Sequence, residues 1–148
     1  MDKYNELLNE IKRQVPVKES FDLLERKLSI AGREAEMFFA DGLVDGSMMQ
    51  RVLFSLFSLK KNQIEQADTM DKFLERNLPF LDALVTSDVN QAVKFLYSGL
   101  VPLLISGYDG IIIIDCRSYP LRSVEEPSKE QSLRVSKDGF VESMMMNI

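Results

Sequence analysis

The chain begins with an amphipathic pattern. From residue 4 to residue 15, apolar positions recur at helical spacing between charged ones, and Pro16 follows. This stripe predicts a helix that ends before the proline, because proline disfavours helical geometry at the residue that precedes it. We expect its apolar face to pack on the core of the same domain or, if the helix is a detachable arm, on a partner.

The pattern then changes to a period of two. Residues 23–30 and 34–40 alternate between apolar and polar positions, and Ala31 and Gly32 stand between the two runs. Alternation of this kind is typical of strands, whose successive side chains point to opposite faces of a sheet. The two runs therefore predict a β-hairpin that turns at Ala31 and Gly32.

A second hairpin is predicted further along the chain. Residues 100–106 and 111–115 flank a Gly-Tyr-Asp-Gly connection, whose Asp-Gly pair supplies the positive φ angles that hairpin turns demand. Pro102 cannot donate to a strand ladder, so we expect its strand to begin near it or to place it at an edge. The run Ile111–Ile114 is apolar on both faces and needs a cover on each side.

Three stretches between the hairpins carry apolar residues at helical spacing. The first is capped by Asp45 or Ser47, the second covers residues 62–77, and the third covers residues 88–98. The residues predicted to face inward are Met49, Val52, Leu53, Leu56 and Phe57 in the first, Ile64, Ala67, Met70, Phe73 and Leu74 in the second, and Val89, Ala92, Val93, Leu96 and Tyr97 in the third.

This order of elements indicates an α+β fold. We expect the two β-hairpins to merge into one four-stranded mixed or antiparallel sheet packed with helices, and a three-layer α/β/α arrangement would cover both faces. The predicted organisation is an N-terminal amphipathic helix or arm over residues 1–18, an α+β domain over residues 19–118, and an extended linker with a terminal helix over residues 119–148.

Composition narrows the classes of function. The chain has a net charge of −5, one cysteine, no histidine and no tryptophan. The charge disfavours nucleic acid as a partner, and the absence of histidine removes the commonest metal ligand and the usual general base near neutral pH. From the polar start of the chain we expect no signal peptide. The sequence has no phosphate-binding glycine motif and no apolar run near the ~20 residues that a membrane-spanning helix requires.

The densest polar chemistry lies after the second hairpin. Asp115, Glu125 and Glu126 are candidates for paired acid and base carboxylates. Arg117 and Arg122 lie among them, however, so charge pairing that shapes the loop is the better interpretation. We therefore expect no enzymatic activity, no metal site and no cofactor.

Three further residues in this stretch have structural interpretations. Cys116 is expected to be a small buried hydrophobe, because the chain has no histidine to activate its thiol. Tyr119 and Pro120 are expected to anchor an extended segment, and the alternative is that they stack on a small ligand.

This stretch also carries a family resemblance. Its residues are Asp115, Arg117, Ser118, Tyr119, Pro120, Arg122, Ser123, Glu125, Glu126 and Pro127. Together with the shorter segments at residues 39–45 and 138–142, they resemble the signature of the spore germinant receptor A-subunit family of endospore-forming bacteria. The likeness extends from about Phe21 to Ile148, and Val135 departs from it by standing where the family usually has glycine.

The resemblance implies the soluble N-terminal domain of a membrane protein of the inner spore membrane, on the cytosolic side that faces the spore core. Family members continue into a further soluble portion and membrane helices, so this chain is expected to be a fragment. Sibling receptor subunits and further copies of the same chain are the implied partners. The implied role is subunit assembly and signal coupling in a receptor or ion channel.

Two hypotheses assign a role to residues 115–127. In the first, the loop is a joint between this domain and the next, and Arg117 is already bonded within the protein. In the second, the domain is a germinant sensor, and Arg117 binds the carboxylate of an amino acid, or a sugar binds beside it. An unpaired Arg117 in a concave pocket would favour the sensor.

Overall fold

The computed structural model of the chain describes residues 2–15 and 22–117. The helices in this part are α1 (Lys3–Gln14), α2 (Gly46–Phe57), α3 (Lys61–Glu65), α4 (Met70–Asn77) and α5 (Val89–Tyr97). The strands are β1 (Leu23–Ile30), β2 (Arg33–Ala40), β3 (Ala83–Thr86), β4 (Val101–Ile105) and β5 (Ile111–Ile114).

The strands form one antiparallel sheet in the order β1-β2-β4-β5-β3. Both predicted hairpins are confirmed. β1 and β2 turn at Ala31 and Gly32, whose φ angles are 50° and 86°, and β4 pairs directly with β5. Pro102 is the second residue of β4, so the strand begins beside it. The α+β class is confirmed, with antiparallel pairing throughout.

The predicted number of strands is wrong, because Ala83–Thr86 forms a fifth strand, β3. This strand lies at the edge of the sheet and pairs with β5, from Ala83 opposite Ile114 to Thr86 opposite Ile111. Its four residues are too few to show an alternating pattern. In the sequence, Ala83 and Leu84 at its start are therefore not distinguishable from a loop that follows Pro79.

Helices cover both faces of the sheet. On one face, Met37 and Leu103 pack in a core with Leu56 of α2 and Phe73 of α4. Neighbouring strand residues project to opposite sides, so Phe38 belongs to the other face. There α1 and α5 pack against each other and against β4. All four residues of β5 are at most 1% exposed, as two covered faces require.

The single helix predicted over residues 62–77 is two helices. α4 begins after Thr69, whose hydroxyl accepts a hydrogen bond from the Lys72 amide at 3.2 Å. The Tyr108 hydroxyl lies 2.7 Å from the carbonyl oxygens of Ile64 and Ala67, which therefore have a partner outside the helix at the interruption. The five residues predicted to face inward are nevertheless all buried.

Two aromatic residues predicted to face inward are exposed. Phe57 in α2 is 50% exposed and Tyr97 in α5 is 53% exposed, whereas Phe95, which was not predicted, is buried. Each exposed ring directly follows a buried leucine, Leu56 or Leu96. One residue turns a helix by about 100°, which places the ring beside the buried stripe and not within it.

The N-terminal helix α1 packs on the domain. Asp2 caps it by accepting a hydrogen bond from the Asn5 amide at 2.9 Å. Its apolar stripe is buried, with Ile11 only 1% exposed, against α5 and β4. None of the helices in residues 2–15 and 22–117 has the length and apolar content needed to cross a membrane.

Candidate functional site

Asp115 and Arg117 are the predicted site residues that the structure describes. They come after β5, at the point where the described part of the chain ends. The other predicted positions lie outside the described residues: Ser118, Tyr119, Pro120, Arg122, Glu125, Glu126 and Pro127.

The two side chains form a two-pronged ion pair. Arg117 Nε donates to Asp115 Oδ1 at 3.0 Å, and Nη2 donates to Oδ2 at 3.1 Å. The Arg117 backbone amide also donates to Oδ1 at 3.1 Å. The Asp115 side chain is 5% exposed and that of Arg117 is 14% exposed, so water competes little for these bonds. The expected pairing of arginine with a nearby acid is confirmed for Asp115.

This pair contacts the second segment of the family resemblance. Arg117 forms an isolated antiparallel bridge with Val44, and the Asp45 amide donates to the Cys116 carbonyl at 2.7 Å. The Asp45 side chain caps α2 by accepting from the Met48 amide at 3.1 Å. The structure therefore joins the end of β5 to the start of α2, a contact that the sequence did not predict.

Gly99, directly after the end of α5, packs against the side chain of Arg117. Its φ is +99°, and a Cβ added there would lie 3.2 Å from Arg117 Cγ and 3.3 Å from both Arg117 Cδ and Leu43 Cβ. The arginine stem and Leu43 thus pack on a position that needs glycine for both backbone angle and space. No local pattern in the sequence signalled this contact between Gly99 and Arg117.

Cys116 has no reactive character in this site. It is 1% exposed, and burial, followed by the charges of Asp115 and Asp45, raises the pKa of its thiol to about 12. The thiolate is the nucleophilic form, and it is scarce near neutral pH when the pKa is this high. The expected burial of Cys116 is confirmed.

A second polar cluster lies between α1 and the sheet, at a polar position of the alternating run 34–40. Glu36 of β2 is 5% exposed because both faces of its strand are covered. Lys12 Nζ of α1 lies 3.3 Å from Glu36 Oε1 and 3.0 Å from Glu25 Oε2 of β1. The apolar residue Phe38, two positions along the same face, was the available signal that this face is buried.

The two carboxyl groups have different pKa values. Burial, and then the neighbouring Glu25, raises the pKa of Glu36 to about 7. The pKa of Glu25 is lowered, first by a hydrogen bond with Glu36 and then by Lys12. Shifts in these opposite directions favour a proton on Glu36 and a negative charge on Glu25, which Lys12 balances. Within the described residues, no three acidic or thiol side chains are placed to hold a metal ion.

Comparison with known proteins identifies the family. Residues 9–148 match the family described as Bacillus/Clostridium GerA spore germination protein. The chain belongs to this family. Stage V sporulation protein AF of Bacillus subtilis (strain 168) is 31% identical over 136 residues, which are 92% of this chain and 27% of that protein. Spore germination protein B1 of the same strain is 28% identical over 115 residues, 78% of this chain and 23% of that protein.

The chain spans about a quarter of the length of these relatives. A solved structure also shares its fold: the N-terminal domain of the A subunit of the Bacillus megaterium spore germinant receptor GerK3. It superposes with a TM-score of 0.56 over 79% of this chain and 94% of that chain, at 13% sequence identity. The predicted family and fold class are both confirmed.

Proposed function

We propose that this chain is the N-terminal domain of a spore-germination membrane protein, where it assembles with sibling subunits and couples their state to the membrane-bound part. In this proposal the protein lies in the inner spore membrane and the domain faces the spore core. The chain acts without enzymatic activity. The observation that carries the proposal is the closed ion pair of Asp115 and Arg117.

The position of this pair suits a joint. Arg117 connects three parts of the domain: the end of β5 through Asp115, the start of α2 through Val44, and the end of α5 through Gly99. A displacement of Arg117 would therefore alter contacts with the central strand β5 and with α2 and α5, which lie on opposite faces of the sheet. Such a connection supports a role in passing a conformational state between this domain and the later parts of the full-length protein.

The same pair counts against the sensor hypothesis. The guanidinium group has two edges that can bond a carboxylate, and Arg117 already presents the one formed by Nε and Nη2 to Asp115. A ligand carboxylate at this edge would have to displace Asp115, which the Arg117 amide also holds in place. Assembly through protein contacts is the better supported of the two functions.

Enzymatic chemistry finds little support in the described residues. The thiol of Cys116 is buried with a raised pKa. Glu36 has a strongly shifted pKa, which is often a mark of a functional carboxylate. It lies between α1 and the sheet, however, where Lys12 and Glu25 contact it. Its environment is accounted for by the packing of α1.

A charge swap at the joint tests the proposal. Arg117→Glu, placed in the full-length protein in its native host, puts two acidic groups side by side and should weaken both germination and recovery of sibling subunits with the protein. The double variant Asp115→Arg with Arg117→Glu restores opposite charges and should recover part of both. Germination is measured as the loss of spore optical density after nutrient is added.

Arg13→Glu is the matched control, because Arg13 is an exposed arginine of α1 paired with Glu10. It should behave like the wild type in both assays. If Arg117→Glu shows wild-type germination and normal recovery of sibling subunits, the proposed role of Arg117 as a joint between domains is refuted. Unchanged recovery of subunits after deletion of residues 2–117 would refute the assembly role itself.

A further inference from the structure

One edge of the domain carries large apolar side chains that face solvent. Phe54 and Phe57 of α2 are 74% and 50% exposed, and Leu24 of β1 is 39% exposed. α2 packs against β1, the edge strand of the sheet. Leu24 lies on the α2 side of β1, because it shares strand parity with Leu28, a member of the core beneath α2. We call the surface formed by β1 and α2 the rim.

The rings of α2 point away from the centre of the domain. Met48 and Leu59 are half-buried against the core, whereas Phe54 and Phe57 occupy the opposite flank and the outer face of the helix. Phe54 and Phe57 thus lie on the sides of α2 that the core leaves uncovered. Exposed aromatic rings in a pair one turn apart are typical of contact surfaces.

Positive charge surrounds these rings. Residues 46–64 contain no aspartate or glutamate, although the whole chain has a net charge of −5. The exposed cations of the rim on the α2 side are Arg26 of β1 and Arg51 of α2, and the exposed Lys60 and Lys61 follow α2 along the chain. The ion pairs within the described residues use other cations, namely Lys12, Arg13, Lys72 and Arg117.

The backbone of β1 supplies a second element of recognition. β1 has eight residues and stands at the end of the strand order, so the described part of the chain pairs it on one side, with β2. The groups on its outer side offer a row of donors and acceptors to an added strand. Strand addition takes its affinity from such main-chain bonds and its specificity from the side chains beside them.

We propose that the rim binds an extended, acidic and apolar segment of a partner protein, which adds to the outer side of β1 and packs under Phe54 and Phe57. Charge complementarity selects this occupant. A second copy of the chain joined edge to edge would bring Arg26 and Arg51 of both copies together on the α2 side, which disfavours self-pairing. This inference rests on the proposed assembly role, because it names the chemistry of the subunit surface that is bound.

Site-specific photocrosslinking in the full-length protein, in spores of its native host, tests the rim. A benzophenone amino acid at Phe57 should give an adduct with a sibling germination protein, mapped by mass spectrometry to a segment of net negative charge. The double variant Arg26→Glu with Arg51→Glu should lower the yield by about tenfold, because both charges face the acidic segment. These residues are exposed, so thermal unfolding of the purified variant should match the wild type.

Phe80 provides the matched control. It is 65% exposed and precedes β3 at the opposite edge of the sheet, so the same crosslinker there should give no such adduct. The proposal that the rim binds a partner segment fails if the crosslinker at position 57 gives no adduct. It also fails if the adducts are only with lipid, with a second copy of the chain or within the same chain. Recovery of sibling subunits is measured in the same membranes, so a failure of the assembly role is seen separately from a failure of the rim.

Discussion

Two carboxyl groups of this domain, those of Asp115 and Glu36, are buried. Asp115 is held by Arg117, and Glu36 lies between Glu25 and Lys12. The two clusters balance charge differently: the first is a closed ion pair, and the second combines two carboxyl groups with one ammonium group. They should therefore respond differently to pH and to substitution.

Glu36→Gln should remove a dependence of stability on pH. The folded state raises the pKa of Glu36 from 4.5 to about 7, because burial disfavours its charged form. The folded protein thus binds the proton more tightly than the unfolded one, so this contribution to stability is complete below pH 4.5 and is lost as the pH rises through about 7. At pH 8 the variant should be more stable than the wild type by on the order of 2 kcal/mol.

Urea unfolding between pH 5 and pH 8 measures this effect. Glu34→Gln is the control, because Glu34 is an exposed glutamate two residues away on the same strand. Its stability should follow the wild-type curve. Parallel curves for Glu36→Gln and the wild type would show that Glu36 is charged in the folded protein.

Arg117→Lys should destabilise the domain although it preserves the charge. Lysine lacks the planar fork that bonds both Asp115 oxygens, and a buried carboxylate would lose one of its partners. We expect a loss of about 1–3 kcal/mol in the free energy of unfolding, measured by urea titration. Arg13→Lys, in the exposed pair with Glu10, should cost less than about 1 kcal/mol. Equal losses of unfolding free energy in the two variants would mean that the buried pair stabilises the domain no more than the exposed pair does.

At the scale of secondary-structure elements, the sequence predicted those that have a strong local signal. The first hairpin is indicated by alternation and the Ala31-Gly32 turn, and the second by a buried strand after Asp-Gly. β3 was missed because four residues next to a long-range partner show no period of their own. The break between α3 and α4 was missed because the inward residues keep helical spacing across it, and Tyr108, far along the chain, contacts the freed carbonyls.

Gly99→Ala should weaken the end of α5. Its φ of +99° disfavours a side chain, and the added Cβ would meet Arg117 and Leu43 at 3.2–3.3 Å. We expect a loss of more than about 1 kcal/mol in the free energy of unfolding. Gly46→Ala is the control: the first residue of α2 has nothing within 4 Å of an added Cβ, and alanine there should be neutral or slightly stabilising. Equal stabilities of the two variants would contradict the claim that position 99 needs glycine to pack against Arg117.

Ile11→Ala should destabilise the whole domain, because α1 packs as part of it. Ile11 is 1% exposed, and removing a buried isoleucine side chain costs about 2–5 kcal/mol. The unfolding transition, followed by circular dichroism and by aromatic fluorescence, should remain single and move to lower urea. Leu24→Ala, at 39% exposure, should move it much less. An unchanged main transition in Ile11→Ala would show that α1 is a detachable arm.

At the scale of the whole molecule, the sequence predicted the class of the fold and one partner in the site, but not how the site is assembled. Arginine among acids predicted an ion pair at Arg117. The bridge to Val44 and the contact at Gly99 depend on which loops meet after folding, and no local pattern encodes that. The burial of Glu36 was not predicted, because alternation alone does not reveal that both faces of β2 are covered.

The proposed function depends above all on one point: the domain acts through protein contacts, and Arg117 is not a ligand site. This point can be tested by a thermal-unfolding screen of the purified chain against amino acids, sugars and nucleosides. A ligand at a hundredfold excess over its Kd would stabilise the native state by about 2.7 kcal/mol, which raises Tm by several degrees. We predict no saturable rise with any of these compounds. A saturable rise that disappears in Arg117→Lys would contradict the proposal and identify a germinant sensor.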